Sequence, residues 1–397
     1  MRILHTSDWH LGQHFMGKTR QAEHGALIAW LLDTVAANQV DVVVIAGDIF
    51  DTGTPPSYAR ELYNSLVLGM KEQGCQLVVL AGNHDSVAVL EESQALLGAL
   101  GTQVVASVGE DATNQLLTLH GATGEAAATL CAIPFLRPRE LLQSEAGQDG
   151  QAKLLGMQQA IQAHYQGLYD KAKARGLPVV MTGHLTTVGA SASESVREIY
   201  VGSLEAFPTN AFPAADYIAL GHIHRPQKVG GLEHIRYSGS PIPLSFDEAR
   251  QQKEMLLVEL DGALRSVTPI AVPRFQQLAS VRSELEGIRA QVQPLTEPLA
   301  DGERLWLEVV LSSQQYLSDL QARVAEQLDG LPVDLLRLRR ERQQQQGIVR
   351  EHRETLDELN PEEVFARRLA NEGLSGELNL ALTERYQATL AALREAK

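Results

Sequence analysis

Seven side chains able to bind a divalent cation each follow closely on the end of a short apolar run. The runs at 2–5, 40–46, 76–81, 178–182 and 217–220 stop at small or polar residues, and the positions beyond them hold Asp8 and His10, Asp48, Asn83, His184, and His222 with His224. Imidazoles, carboxylates and an amide together offer mixed nitrogen and oxygen donors, which suit Mn, Fe or Zn in a site without thiolates. Seven ligands are too many for one tetrahedral ion and suit two ions sharing a bridging carboxylate. Asp48 is the expected bridge, because it ends the central and most apolar run. Asp8, His10 and His224 are expected on one ion, and Asn83, His184 and His222 on the other. An extended His-x-His segment needs a local bend to send its rings to different ions.

Two ions roughly 3.5–4 Å apart can hold both non-bridging oxygens of a phosphodiester and lower the pKa of a water placed in line with the leaving oxygen. Phosphoryl hydrolysis is therefore the expected chemistry. His84 directly follows a ligand and is read as catalytic, either stabilising developing charge or protonating the departing oxygen. Asp51 is expected to orient that imidazole as its carboxylate partner; Asp85 is the alternative, and the sequence leaves the choice open.

Taken singly, these residues have ordinary explanations. An Asp after a strand is commonly a cap or turn former, a lone His is commonly a surface or core residue, and Asp51-Thr-Gly-Thr-Pro-Pro is good turn chemistry. Five coincident strand-end placements outweigh those explanations for Asp8, Asp48, Asn83, His184 and His222. His5, His14, His24, His120, His164, His234 and His352 are read as structural, with His14 placed to border a phosphate path. Gly183 and Gly221 are as well explained by close packing as by catalysis.

The elements that must position these groups follow from periodicity. Apolar runs of four to seven residues rich in Val and Ile read as buried strands, and 21–37 and 57–72 carry apolar residues on one helical face. Strand and helix in alternation imply a layered α/β domain, whose ligands collect outside the carboxyl ends of the strands. Runs at 116–119 and 127–133 are further candidate strands, a loop is expected at 147–150, and 254–260 with 263–270 reads as a closing hairpin around Asp261-Gly262. These place a first domain at 1–272. A helix at 282–291, a Pro-containing connection at 294–298, a strand at 305–311, a helix at 315–328 and a strand at 333–338 suit a small α/β cap at 273–338. From Arg339 the chain is charged and Gln-rich, as expected of a linker, and it ends in amphipathic helical patterns at 361–369 and 377–393, giving a third segment at 339–397. Those helices either dock on their own domain or are captured by a partner. The apolar stripes at 57–72 and 88–100 read as core, with a dimer face as the alternative.

Composition bounds the function. The 397 residues are 44% hydrophobic, enough for ordinary folded cores and against a disordered or fibrous chain. A formal net charge of −15 argues against coating nucleic acid through bulk positive charge, but leaves it open as a substrate, because carboxylates that hold cations count as negative in the sum. Cys75 and Cys131 lack metal-ligand spacing and are too few for a disulfide framework. No stretch has the length of a spanning helix or a signal peptide, so a soluble, cytoplasmic protein is expected.

The motifs Asp8-x-His10, Gly47-Asp48-x-x-Asp51, Gly82-Asn83-His84-Asp85, Thr182-Gly183-His184 and Gly221-His222-x-His224 resemble the full set of the calcineurin-like metallophosphoesterases. The wording around them, as in Ser7-Asp8-Trp9-His10-Leu11-Gly12 and Gly239-Ser240-Pro241-Ile242-Pro243-Leu244-Ser245-Phe246, is similar to the bacterial DNA-nuclease branch of that family. The resemblance implies a layered β-sandwich core flanked by helices, with a small α/β cap and C-terminal helices. It also implies a manganese-dependent double-strand exonuclease and hairpin endonuclease, working as a homodimer whose C-terminal helices grip the coiled-coil base of an ATPase. DNA as substrate rests on the resemblance alone. Two competing readings are a small-molecule phosphodiesterase or phosphatase, which would not need the cap and tail, and a scaffold that has lost its metals, which the intact ligand set disfavours.

Overall fold

The computed structural model describes residues 1–109, 111–141, 150–196, 206–312 and 319–341, with 382–383 and 385–386. The chain starts with β1 (Arg2–Thr6), a short hairpin of β2 (His14–Phe15) and β3 (Lys18–Thr19), then α1 (Gln21–Asn38), β4 (Val42–Ala46), α2 (Ser57–Glu72) and β5 (Gln76–Leu80). Next come α3 (Val87–Glu91), α4 (Gln94–Ala99), β6 (Thr102–Val105), β7 (Leu116–His120), β8 (Ala126–Cys131), α5 (Pro138–Leu141), α6 (Gly150–Lys173), β9 (Val179–His184) and β10 (Tyr217–Gly221). After these follow β11 (Gln227–Val229), β12 (Leu232–Tyr237), β13 (Glu254–Leu260), β14 (Leu264–Ala271), β15 (Leu278–Ser283), α7 (Ile288–Thr296), β16 (Leu305–Leu311), α8 (Leu320–Leu328) and β17 (Val333–Arg340).

Val42, Val44 and Ala46 of β4 face one way and Val43 and Ile45 the other, yet all five are buried. Alternation puts successive side chains on opposite faces of a strand, so β4 must be covered on both sides. Two six-stranded sheets, ordered β14-β13-β1-β4-β5-β6 and β11-β12-β10-β9-β8-β7, supply one cover each for the other. Val42, Val44, Val78 and Leu80 pack against Leu130, Val180, Tyr217 and Ala219 between them. The outer faces are closed by α1 and α2 through Leu27, Leu31, Leu66 and Met70, and by α6 through Met157, Ile161, Tyr165 and Leu168. The result is a helix-sheet-sheet-helix sandwich, the layered α/β architecture expected.

The central strands β1, β4 and β5 are parallel, as are β9 and β10. Parallel neighbours end together, so the turns after β1, β4 and β5 share one rim, and those after β9 and β10 share the facing rim. Sequence reading missed α6, although Met157, Ile161, Tyr165, Leu168 and Ala172 repeat with helical spacing and are buried. It also missed β11 and β12, which are too short or too polar to stand out as apolar runs.

A separate parallel sheet, β15-β16-β17, has α7 and α8 packed on it through Ile288, Val292, Val324 and Leu328. Here the expected helix at 282–291 is corrected. Residues 282–283 finish β15, whose burial is too irregular to read as alternation, and the helix runs later, as Ile288–Thr296. Pro294, expected in a connection, lies inside that helix in its last turn, where its missing N–H removes the bond to the Ala290 carbonyl. Phe15 stacks on Trp306 at 5.6 Å and meets Phe246 edge-on, joining this sheet to the β2–β3 hairpin. The strand expected at 333–338 continues to Arg340, and 315–318 of the expected helix fall outside the described residues. So do the helices expected at 361–369 and 377–393, apart from 382–383 and 385–386, which are helical. Among the described residues no helix is long and apolar enough to cross a membrane. Both cysteines are free and buried.

Candidate metal centre

The turns after β1, β4 and β10 are strained in the same way. Six non-glycine residues among those described have positive φ, and four of them are Asp8, His10, Asp48 and His222. Such backbone costs on the order of 1–3 kcal/mol per residue and persists where the surroundings over-determine it. The backbone N–H groups of Asp8, Trp9 and His10 donate to the carbonyls of Gly47 and Asp48, locking the first turn to the second. Gly221 lets the two sheets approach, since an added Cβ would overlap the Ala46 carbonyl oxygen, and Gly183 gives way in the same sense to the Tyr165 hydroxyl. Close packing accounts for both glycines.

All seven expected ligands meet at this rim. The carboxylate of Asp48 is held through Oδ1 by the His84 backbone N–H at 2.8 Å, which leaves Oδ2 facing inward. That atom stands 3.1 Å from His184 Nε2 and 3.7 Å from His10 Nε2. Asn83 Oδ1 lies 2.9 Å from His184 Nε2 and 3.2 Å from His222 Nδ1. Donor atoms of Asp8, His10 and His224 lie within 4.8 Å of one another, as do those of Asp8, Asp48 and His184. The positive φ of His222 is the bend that sends its ring toward Asn83 while His224 goes to Asp8 and His10. Asp8 is fixed by the Ser7 hydroxyl at 2.6 Å and by the His222 backbone N–H at 2.9 Å.

The imidazoles are anchored from behind. A carbonyl only accepts, so His184 donates Nδ1–H to the Ala46 oxygen at 3.0 Å and turns Nε2 to the rim. His10 Nδ1 bonds the Asp51 carboxylate at 3.1 Å, and His10 Nε2 is a buried atom with no hydrogen-bond partner among the described residues. An outward N–H fixed by a carboxylate or carbonyl is the usual support of a metal-binding histidine. Ligand atoms about 2.1 Å from a common ion stand roughly 3 Å apart, matching the distances from His184 Nε2 to Asp48 Oδ2 and to Asn83 Oδ1. The buried, unpaired nitrogen and this mixed donor set fit divalent cations.

Electrostatics agree. Burial disfavours the charge on His184, but the Asp48 carboxylate and then Asp8 outweigh it and push its pKa up to about 9. Burial likewise opposes ionisation of Asp48, and the neighbouring imidazoles of His184 and His10 overcome it, holding the acid well below the carboxylate range. His222 is driven the other way, by burial and then by repulsion from His184. A metal-free cluster therefore holds a proton where two carboxylates would otherwise face each other.

Two expectations resolve differently from the simplest form. His84 Nδ1 lies 2.7 Å from an Asp51 oxygen, but that atom is the backbone carbonyl, since the carboxylate goes to His10. A three-residue offset after a tight turn points the main chain, not the side chain, at His84. Asp85 is buried and accepts the N–H groups of Gly82 (2.8 Å), Phe50 (2.9 Å) and Ile49 (3.2 Å), so it clamps two turns together and does not hold the imidazole. Of the histidines read as structural, His5 donates Nε2–H to the Leu220 carbonyl at 3.2 Å and accepts the Tyr217 hydroxyl at 2.9 Å, with burial taking its pKa down to about 3. His14 is exposed on β2. Sequence reading missed Ser195, Glu248 and Lys253, which back His224 and lie in no motif.

The calcineurin-like phosphoesterase model matches residues 1–226, and that of the type 5 capsule protein repressor C-terminal domain matches 274–373. The chain is 49% identical over 399 aligned residues to the SbcD subunit of nuclease SbcCD from Escherichia coli K12, covering 99% of this chain and 98% of that protein. It is 33% identical to the Rhodobacter capsulatus counterpart (92% and 94% covered) and 32% identical to the Bacillus subtilis counterpart (65% and 66%). With this likeness running the length of the chain, and its rim motifs inside the matched segment, the chain belongs to the calcineurin-like phosphoesterases and, within them, to the SbcD family of SbcCD nuclease subunits.

Proposed function

We propose that this chain is the nuclease subunit of an SbcCD-type complex, hydrolysing DNA phosphodiester bonds as an ATP-dependent double-strand exonuclease and hairpin endonuclease. The observation that carries the reading is the meeting of seven donor side chains, Asp48 among them, from five strand-end turns. In this reading Asp8, His10 and His224 would hold one cation and Asn83, His184 and His222 the other, with the Asp48 carboxylate available to both. The ions are two Mn2+ per subunit. Bound there, they supply Lewis-acid chemistry, polarising phosphoryl oxygens and making water a better nucleophile.

The chain's own residues supply the rest. His84 is half-buried and donates Nδ1–H to the Asp51 carbonyl, which fixes its ring and leaves Nε2 for the departing oxygen; a neutral ring held this way has no Nε2 proton, so the imidazolium is the form that hands one over. Asp51 keeps His10 oriented through its carboxylate, and Asp85 keeps the turns in register. Residues 1–272 are read as the nuclease domain and 273–338 as a cap over the DNA path. Residues 339–397 are read as a linker and helices that bind an SbcC-type ATPase, in a nuclease homodimer within a heterotetramer. A cytoplasmic role in DNA repair, recombination and replication fits this assignment.

The test is cleavage of hairpin and linear duplex DNA by the full chain, with Mn2+, and with and without the ATPase. Cleavage that disappears in His84→Gln and Asp48→Asn chains of unchanged circular dichroism supports the proposal. Turnover of nitrophenyl phosphoesters alone would favour a small-molecule phosphodiesterase, and no turnover with any divalent ion would favour a metal-free scaffold.

A further inference from the structure

Behind His224 lies a buried polar network that the proposed reaction does not use. The Glu248 carboxylate accepts the hydroxyls of Ser193 (2.6 Å) and Ser195 (2.5 Å), the Leu244 N–H (3.0 Å) and Lys253 Nζ (2.6 Å). Lys253, 3% exposed, also donates to the His224 carbonyl oxygen at 2.9 Å and to Ser240 Oγ at 3.0 Å. Ser195 Oγ lies 2.6 Å from His224 Nδ1. Removing two charges from water is costly, and a buried ion pair is often no more stabilising than apolar residues of the same size. The pair is better explained by what it holds in place.

Counting protons identifies that role. A serine hydroxyl has one proton to give. Glu248, with Lys253 beside it, is a carboxylate that only accepts, so the Ser195 proton goes to Glu248. Ser195 Oγ can then only accept from His224, which fixes a proton on Nδ1 and leaves the lone pair on Nε2. His184 and His10 reach the same state by donating Nδ1–H to the Ala46 carbonyl and the Asp51 carboxylate. We propose that Ser195, held by Glu248 and Lys253, is a positioning residue that sets the tautomer and direction of His224, presenting Nε2 to the cation shared with Asp8 and His10. This rests on the metal-centre reading above and adds a residue outside all of its motifs.

The experiment is calorimetric titration of the full chain with Mn2+, comparing wild type, Ser195→Ala and Ser195→Thr. Wild type is expected to bind two equivalents. Ser195→Ala is expected to weaken one of the two sites 10–100-fold and leave the other unchanged, while Ser195→Thr, which keeps the hydroxyl, binds as wild type. A Ser195→Ala chain that binds both ions with wild-type affinity overturns the inference. A threonine variant as weak as the alanine one also overturns it, because the effect then comes from loop packing and not from the hydroxyl. A wild-type chain that takes up no Mn2+ instead overturns the metal-centre reading beneath it.

Discussion

Nδ1 of His10 lies 3.1 Å from the carboxylate Oδ1 of Asp51, a residue whose carbonyl oxygen at the same time holds His84. One turn thus orients two imidazoles with two different groups, and substitution separates the two jobs. Asp51→Asn leaves the carbonyl in place but weakens the bond to His10. Its expected effect is a 10–100-fold higher Mn2+ concentration for half-maximal hydrolysis, with most of the rate recovered at saturation. Rates measured across a manganese series check this; a rate that stays low at saturating metal would mean that the side chain acts on His84 after all.

The Asp48–His184 pair makes the metal-free chain sensitive to pH. The His184 pKa is raised from 6.5 to about 9 in the folded state, so the native chain holds that proton more tightly than the unfolded one. Its contribution to stability is complete below about pH 6.5 and is lost as the pH rises through 9. Asp48 is depressed, so its contribution is present above the ordinary value of 3.8 and is lost as the pH falls toward the lower folded value. In the chelated chain the contribution of this pair should be greatest between about pH 4 and 6.5. Thermal unfolding in EDTA from pH 4 to 10 should show the alkaline decline, and His184→Gln should abolish it.

Manganese should counter that decline, because it binds the folded chain in place of the proton. At 100 times the dissociation constant, one bound ion adds about 2.7 kcal/mol. Thermal unfolding at pH 8 with and without Mn2+ should show a rise in midpoint that EDTA reverses, and that Asp48→Ala largely removes.

Asp85 should matter for stability more than for chemistry. Its carboxylate accepts three buried backbone N–H groups, and Asp85→Ala leaves them without that acceptor. A loss of about 3 kcal/mol or more is expected in urea unfolding. Asp85→Asn should be only partly better, since its NH2 group must face one of the donors. A change below about 1 kcal/mol in both variants would contradict the clamp.

Gly82 lies against Asp48, where an added Cβ would overlap both Oδ1 and the backbone nitrogen. Rotation of the Asp48 side chain cannot relieve the second overlap. Gly82→Ala is expected to displace the turn, lower the melting temperature and weaken Mn2+ binding at both ions, since Asp48 faces both sets of donors. Calorimetry that shows loss at one ion alone would argue against a shared carboxylate.

How far the sequence reached can be judged residue by residue. The strand-end spacing of Asp8, Asp48, Asn83, His184 and His222 was legible because parallel strands end together and a buried strand must be apolar on both faces. The seven candidates needed no contact information, only that rule. The layered α/β domain also follows from local pattern, as does the β13–β14 hairpin, whereas its pairing of two sheets into a sandwich came from the family resemblance. By contrast, α6 carries its helical signal in Met157, Ile161, Tyr165 and Leu168, which the sequence reading misses, and β15 carries almost none.

Amino-acid order by itself determined which side chains gather at one rim, because periodicity sets the strands and the strands set where their turns lie. Only the tertiary structure decided which atom of each residue does what. The Asp51 carboxylate goes to His10 and its carbonyl to His84, Asp85 turns away to backbone amides, and Ser195, Glu248 and Lys253 arrive behind His224 from segments with no motif. The physical reason is that hydrogen-bond partners are chosen by direction and by distances of about 3 Å. Those depend on strained φ angles and on the meeting of two sheets, which no one-dimensional pattern encodes.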